Sequence, residues 1–232
     1  MDNVLSVLTT IGIIFGVVML FNFMIFVHEL GHFFAARWRG LYVDRFQIWF
    51  GRPIWKKTIN GVQWGLGWIP AGGFVSLPQM APMEAIEGSV ELPKDLKPVK
   101  PLDKIIVAAA GPVASFLLAV LFGVTLRLVL AFFPFDVWQQ HNFYIFALSS
   151  LQAGVVINFG LGWLNLVPIP PLDGSKVVAY FLPGETAWRY LSMERYGFII
   201  LLLLLFTGAL GYVLGPLVSG SARGLLSLLG LL

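Results

Sequence analysis

The chain has 232 residues, of which 58% are apolar and 12% are charged, whereas soluble domains carry about 25% charged residues. This composition excludes a disordered chain and is typical of an integral membrane protein. The Lys and Arg residues exceed the Asp and Glu residues by 3, but in a membrane protein such an excess usually encodes orientation rather than nucleic-acid binding.

No cysteine is present in the sequence. This excludes disulfides, thiol catalysis, iron–sulfur clusters and thiolate metal sites. Any transition-metal site in this chain would therefore need His and carboxylate ligands.

Four apolar runs are long enough to cross the roughly 30 Å hydrocarbon layer as helices. They cover about residues 5–36, 105–133, 143–167 and 196–218. The sequence therefore predicts an all-α polytopic membrane protein with four transmembrane helices, in a single domain over residues 1–232. The first run is too long for a cleaved signal peptide, so we expect it to be a retained span.

Most basic residues fall in two of the loops between these runs. Ten of the 15 lie between the first two runs and three lie between the last two, whereas residues 134–142 contain none. The positive-inside rule places both basic loops in the cytoplasm and both termini outside.

The first loop contains a predicted hairpin. Two runs rich in aromatic and β-branched residues flank Asn60-Gly61, which is typical of a two-residue turn. We expect a small membrane-associated β-sheet over about residues 44–77; the alternative is an interfacial aromatic belt with no fixed structure. Residues 81–101 are rich in Pro, Glu and Lys, which predicts an extended linker into the second span.

The first apolar run contains the sequence His28-Glu29-Leu30-Gly31-His32, which has the HExxH spacing. On a helix the two histidines are one turn apart and point the same way, so both imidazoles can bind one metal ion. Glu29 is placed to accept a proton from a water activated by that metal. The alternative is a polar helix end packed against other helices, but three ionisable side chains at membrane depth are costly and usually functional.

Two histidines leave a catalytic zinc site incomplete, because such sites usually have three protein ligands. A search of the spans for a carboxylate leaves Asp173, at the end of a Pro-rich segment at residues 168–174. Its prolines prevent a regular helix, so the segment can turn the Asp173 carboxylate toward the first span; the alternative is a helix-stop loop with an interfacial Asp. Asn165 could offer its amide to a substrate or pack between helices. His141 is expected to be an ordinary loop residue.

These motifs resemble those of the site-2 protease family of intramembrane zinc metalloproteases (M50-type), and in particular its bacterial regulated-intramembrane-proteolysis branch. Two further segments, Ile-Pro-Ala-Gly-Gly-Phe-Val at residues 69–75 and Ala-Gly-Pro at residues 110–112, are similar to family segments. The resemblance implies His28, His32 and Asp173 as zinc ligands and Glu29 as the base. It also implies that Asn165 binds substrate, together with Gly72 and Gly73.

The resemblance further implies a zinc-dependent endopeptidase that cleaves transmembrane segments of single-span proteins in the lipid bilayer. Such substrates include anti-sigma factors and signal-peptide remnants. The hairpin would offer a strand edge to an unwound substrate. The implied location is the bacterial inner membrane, with the active site toward the cytoplasm.

The chain departs from the family pattern in two places. Many relatives have Asn where this chain has Ser115, so Ser115 is assigned no role. The better-studied members carry PDZ domains between the second and third spans, where this chain has only residues 134–142. Substrate gating by such a domain is therefore absent, or a separate regulatory or adaptor protein supplies it.

A different function remains open from the residues alone. A membrane transporter could use intramembrane His and carboxylate groups as a metal or proton relay. It predicts polar residues spread through several spans, whereas here the ionisable groups converge at one depth. An inactive scaffold is disfavoured by the intact HExxH motif and Asp173.

Overall fold

The computed structural model describes residues 2–80, 96 and 98–232, and most of the predicted linker at 81–101 lies outside them. The described chain is mostly helical, with one small sheet between the first two helices. The helices are α1 (Asp2–Arg39), α2 (Pro101–Phe132), α3 (Phe135–Trp138), α4 (Asn142–Asn165), α5 (Asp173–Tyr180), α6 (Gly184–Ser192), α7 (Glu194–Phe206) and α8 (Ala209–Leu228). The strands are β1 (Arg45–Ile59) and β2 (Val62–Ser76).

Three helical segments are long and apolar enough to cross a membrane. They are Thr10–Arg39 of α1, Pro101–Phe132 and Asn142–Asn165, and they overlap the first three predicted runs. The protein is therefore an integral membrane protein. The ends of α1 and α2 that face the sheet are joined by Arg39, whose Nε donates to Asp103 Oδ1 at 2.6 Å.

The fourth predicted span, at residues 196–218, falls on two helices instead of one. Helices α7 and α8 meet at an angle of 77°, so the described helices give three candidate spans, or four if the bent pair counts as one. Gly208 lies at the break with φ of 76°. A residue in this left-handed conformation ends a right-handed helix, and glycine adopts it without a steric penalty.

The predicted hairpin is confirmed as an antiparallel pair of β1 and β2. Asn60 and Gly61 both have positive φ, at 50° and 78°, as a tight hairpin turn of the primed type requires. Residues 45–48 pair with residues 73–76 and also with residues 63–66. Residues 45–48 of β1 therefore lie between two stretches of β2. Among the described residues, the stretch at residues 73–76 forms one edge of the sheet, and it is called the outer stretch of β2 below.

The sheet is attached to α1 beside the HExxH motif. Phe46 is buried and packs edge-on against Phe26 and Phe33 of α1. Farther along β1, the indole N–H of Trp49 donates to Asn22 Oδ1, which lies six residues, or about 9 Å, before His28 along the helix. These contacts hold β1 against the helix at the depth of the histidines.

Helices α1 and α2 approach closely at the same level. A Cβ atom on Gly31 would lie only 2.4 Å from the backbone oxygen of Ala110. Glycine at this position therefore permits the contact, as small residues do where membrane helices pack. The result is that α2 lies directly against both histidines.

Candidate metal centre

The two histidines of α1 and the first residue of α5 form one buried cluster. His28, His32 and Asp173 are 4%, 7% and 6% exposed, respectively. One ligand atom from each lies within 4.8 Å of the others, which is close enough for all three to bind one metal ion.

The segment between α4 and α5 carries Asp173 to this position. Helix α4 ends at Asn165, and the prolines at 168, 170 and 171 prevent its continuation. The chain then turns back on itself, and a Cβ atom on Gly174 would lie 2.2 Å from the carbonyl oxygen of Leu166. Glycine is thus required for the tight fold that directs Asp173 toward α1.

Both histidines present Nε2 to the same carboxylate oxygen. Asp173 Oδ2 lies 3.2 Å from His28 Nε2 and 3.0 Å from His32 Nε2, while Lys176 Nζ donates to Oδ1 at 2.9 Å. Burial alone would raise the pKa of the Asp173 carboxyl, but His32, the hydrogen bonds to both imidazoles and Lys176 hold this pKa well below its usual range. The lowered pKa favours the carboxylate of Asp173, which is the form that binds metal.

The remaining ring nitrogens are held by α2. His32 Nδ1 lies 2.7 Å from the carbonyl oxygen of Val107, and His28 Nδ1 lies 2.9 Å from Ser115 Oγ. A carbonyl oxygen only accepts, so His32 Nδ1 carries a proton and donates it to Val107, which leaves Nε2 as the nitrogen that can bind a metal ion. Metal-binding histidines usually have such a partner on the other ring nitrogen.

The space beside the two Nε2 atoms is bounded by Gly111 of α2. A Cβ atom there would lie 2.2 Å from His32 Nε2 and 2.7 Å from His28 Nε2. Two imidazole nitrogens and one carboxylate oxygen are the donor set of many catalytic zinc sites. The residues present therefore fit a zinc ion, and Gly111 keeps the space for it.

A cavity of about 1180 Å³ adjoins the cluster, and its wall includes Glu29 and Asn165. It also includes the stretch of β2 from Gly72 to Ser76. The Glu29 side chain reaches this stretch, since a Cβ atom on Gly73 would lie 3.2 Å from Glu29 Cγ. Gly72 has φ of 71° and lies against the Phe50 ring, so the strand can pass here only with glycine.

The structure thus brings His28, His32 and Asp173 together, and the other predicted site residues, Glu29, Asn165, Gly72 and Gly73, line the same cavity. Asn165 donates its side-chain N–H to the Leu161 carbonyl of its own helix at 2.9 Å and also lines the cavity. His141 lies apart, directly before α4.

Four contributions to the cluster were not predicted from the sequence. Gly111 lies in the Ala-Gly-Pro segment and Ser115 at a departure from the family pattern, so the sequence marks both positions without indicating their roles. Lys176 is one of the three basic residues between the last two apolar runs, and its charge indicates only orientation. The fourth contribution is the backbone carbonyl of Val107, which any residue type would supply and which therefore leaves no signal in the sequence.

Comparison with known proteins gives a consistent result. A family model described as peptidase family M50 matches residues 16–142, which is more than half of the chain. Three curated bacterial relatives are each named "Putative zinc metalloprotease". The Helicobacter pylori protein is 40% identical over 105 residues (45% of this chain, 30% of that protein), the Chlamydia pneumoniae protein 36% over 104 (42% and 17%), and the Synechocystis protein 37% over 117 (50% and 30%). The matched part of this chain thus spans less than a third of each relative.

The position of Gly111 leads to a direct prediction. Gly111→Ala places a methyl group where the ion would sit, so the purified variant should hold much less divalent metal than the wild type when both are measured by elemental analysis. Gly123→Ala on the same helix is the control, because its new Cβ would meet leucine side chains instead of the histidines. Wild-type metal content in Gly111→Ala would show that the ion does not lie between these nitrogens.

Proposed function

Since this chain belongs to peptidase family M50, we propose that it is a zinc-dependent endopeptidase that cleaves membrane-protein substrates within the bilayer. The observation that carries the proposal is the buried cluster of His28, His32 and Asp173 beside Glu29. The cluster and residues 72–76 of β2 line the same cavity. A hydrolytic centre and a place for an extended peptide would thus lie side by side.

His28, His32 and Asp173 would hold the zinc ion through Nε2, Nε2 and Oδ2. When bound, zinc polarises the scissile carbonyl and lowers the pKa of water enough for attack near neutral pH. Lys176 holds the second oxygen of Asp173, and this leaves Oδ2 directed at the histidines.

Glu29 moves the proton during hydrolysis. Its carboxylate would take a proton from the attacking water and deliver it to the nitrogen of the leaving amine, so that the C–N bond breaks and the water oxygen becomes part of the new carboxyl group. Asn165 lines the same cavity and would bind the substrate carbonyl through its amide.

Residues 72–76 of β2 would hold the substrate. A transmembrane helix hides its carbonyls in its own hydrogen bonds, so it must unwind before attack, and unpaired backbone is costly within a bilayer. Addition of the unwound segment as a strand to this stretch would keep its backbone paired. Residues 73–76 pair with residues 45–48 on one side and line the cavity beside Glu29. The edge nearest the cluster is therefore at residues 72–76, well away from the Asn60-Gly61 turn.

The substrates we propose are single-span membrane proteins, such as clipped anti-sigma factors or signal-peptide remnants. A separate adaptor protein would regulate their access. The proposed enzyme is a single domain with four spans, the bent pair α7 and α8 forming the fourth. Its surroundings are the lipid bilayer, and it has no nucleic-acid partner.

We place it in the bacterial inner membrane with both termini outside and the metal cluster toward the cytoplasm, because of the basic loops. The sequence has no cysteine, so the labelling of one introduced cysteine shows on which side of the membrane that residue lies. In intact cells, an impermeant maleimide should label Gln139→Cys, whereas Glu185→Cys should react only after lysis. The opposite pattern would reverse the orientation.

The proposed activity is tested with Glu29→Gln, which removes the base and keeps the side-chain shape. Wild-type protein in liposomes should cleave members of a panel of single-span proteins, and the variant should be slower by about 10²–10⁴-fold. Both should hold the same amount of zinc, since Glu29 is not among the ligands. Equal cleavage by the two proteins would disprove the role of Glu29. Failure of the wild type to cleave any panel member, together with zinc flux across the liposomes, would favour a transporter.

Strand addition predicts a pattern of cross-links. Ser76→Cys is combined with Glu29→Gln, and single cysteines are placed in turn at each position of a substrate segment. Disulfides with Ser76→Cys should form at every second substrate position, because side chains alternate along a strand. Thr58→Cys, on the far part of β1, is the matched control and should give none. A period of three to four residues would show that the substrate stays helical at this site.

A further inference from the structure

Ser115 connects the middle of α2 to the first histidine of the cluster. Its side chain is fully buried at 0% exposure, and its Oγ lies 2.9 Å from His28 Nδ1. His28 itself is 4% exposed. Both partners of this hydrogen bond are thus buried.

The chemistry of this contact depends on which ring nitrogen carries the proton. A neutral imidazole has one N–H and one lone pair, and a hydroxyl can either donate or accept. For His28 Nε2 to offer its lone pair to a metal, Nδ1 must carry the proton and Ser115 Oγ must accept it. With the opposite tautomer, Nε2 would carry the proton and could not bind the ion.

We propose that Ser115 is a positioning residue that holds His28 in its metal-binding tautomer and ring orientation. The inference rests on the proposed function, because it concerns the same zinc ion. His32 is fixed by the Val107 carbonyl, which every side chain at position 107 would supply. His28 instead depends on a side-chain hydroxyl, so its orientation can be changed by a single substitution.

Loss of the hydroxyl has a defined consequence. The Nδ1–H of His28 would be left buried without a partner, which disfavours the tautomer that carries it and frees the ring to rotate. Loss of a partner to a metal-binding histidine typically lowers metal affinity by about 10–100-fold. A role of Ser115 in helix packing alone would leave zinc affinity unchanged.

The test compares Ser115→Thr with Ser115→Val, whose side chains have nearly the same shape and differ in the hydroxyl. Zinc affinity is measured on the purified full chain by competition with a chromogenic chelator. Ser115→Thr should bind zinc nearly as the wild type does, and Ser115→Val should bind about 10–100-fold more weakly. Both variants add the same extra volume, so the difference between their zinc affinities reports the effect of the hydrogen bond.

Ser115→Ala removes the hydroxyl without added volume and should weaken zinc binding like Ser115→Val. It decides the question if the branched variants do not fold. The matched control is Ser221→Ala, which removes a half-buried contact between helices, the 3.1 Å hydrogen bond that Trp163 Nε1 donates to Ser221 Oγ. This control should bind zinc with wild-type affinity.

The outcomes separate this inference from the function on which it rests. If the wild type binds zinc and the Thr and Val variants bind it with equal affinity, the role of Ser115 is overturned and the zinc site stands. Undiminished zinc affinity in Ser115→Ala would have the same meaning. A wild type that binds no zinc would overturn both. The Co²⁺-substituted proteins give a second readout, since a rotated His28 should change the visible absorption of Ser115→Val but not of Ser115→Thr.

Discussion

The candidate metal centre depends on the close approach of α1 and α2 at the HExxH motif. Gly31 brings α1 against the Ala110 carbonyl, and Gly111 leaves free space beside both Nε2 atoms. At this separation between the helices, Ser115 Oγ contacts His28 Nδ1 and the Val107 carbonyl contacts His32 Nδ1. Buried polar groups need partners, and in a membrane they find them only in the protein. Two glycines at the helix contact therefore make a polar cluster possible in an apolar bundle.

The remaining parts of the site are attached to this pair of helices by specific contacts. Asp173 comes from a Pro-rich break after α4, and it supplies the negative charge that two imidazoles and Lys176 surround. The sheet is held against α1 by Phe46 and by the Trp49 contact with Asn22. The cluster and the outer stretch of β2 line one cavity as a result, so the proposed chemistry and the proposed substrate binding depend on one set of packing contacts.

Much of this could be predicted from the sequence because it is local. Hydropathy located three spans, Asn60-Gly61 located the hairpin turn, and the HExxH spacing placed His28 and His32 on one helix face. The break at Gly208 was not predicted, because one glycine hardly changes the hydropathy of a long apolar run. The placement of residues 45–48 between two stretches of β2 is a matter of tertiary register, which no local pattern specifies. The roles of Gly111 and Ser115 emerge only when α2 lies against α1.

The central claim is that one zinc ion is bound by two imidazoles and the Asp173 carboxylate. Zinc K-edge X-ray absorption on the purified, zinc-loaded full chain tests it directly. We expect four light-atom ligands at about 2.0–2.1 Å, with the multiple-scattering signature of two imidazoles and the remainder oxygen. Asp173→Asn removes one of the three ligands, so its zinc content should fall well below that of the wild type. A spectrum with no imidazole scattering, or a zinc content unaffected by Asp173→Asn, would contradict the account.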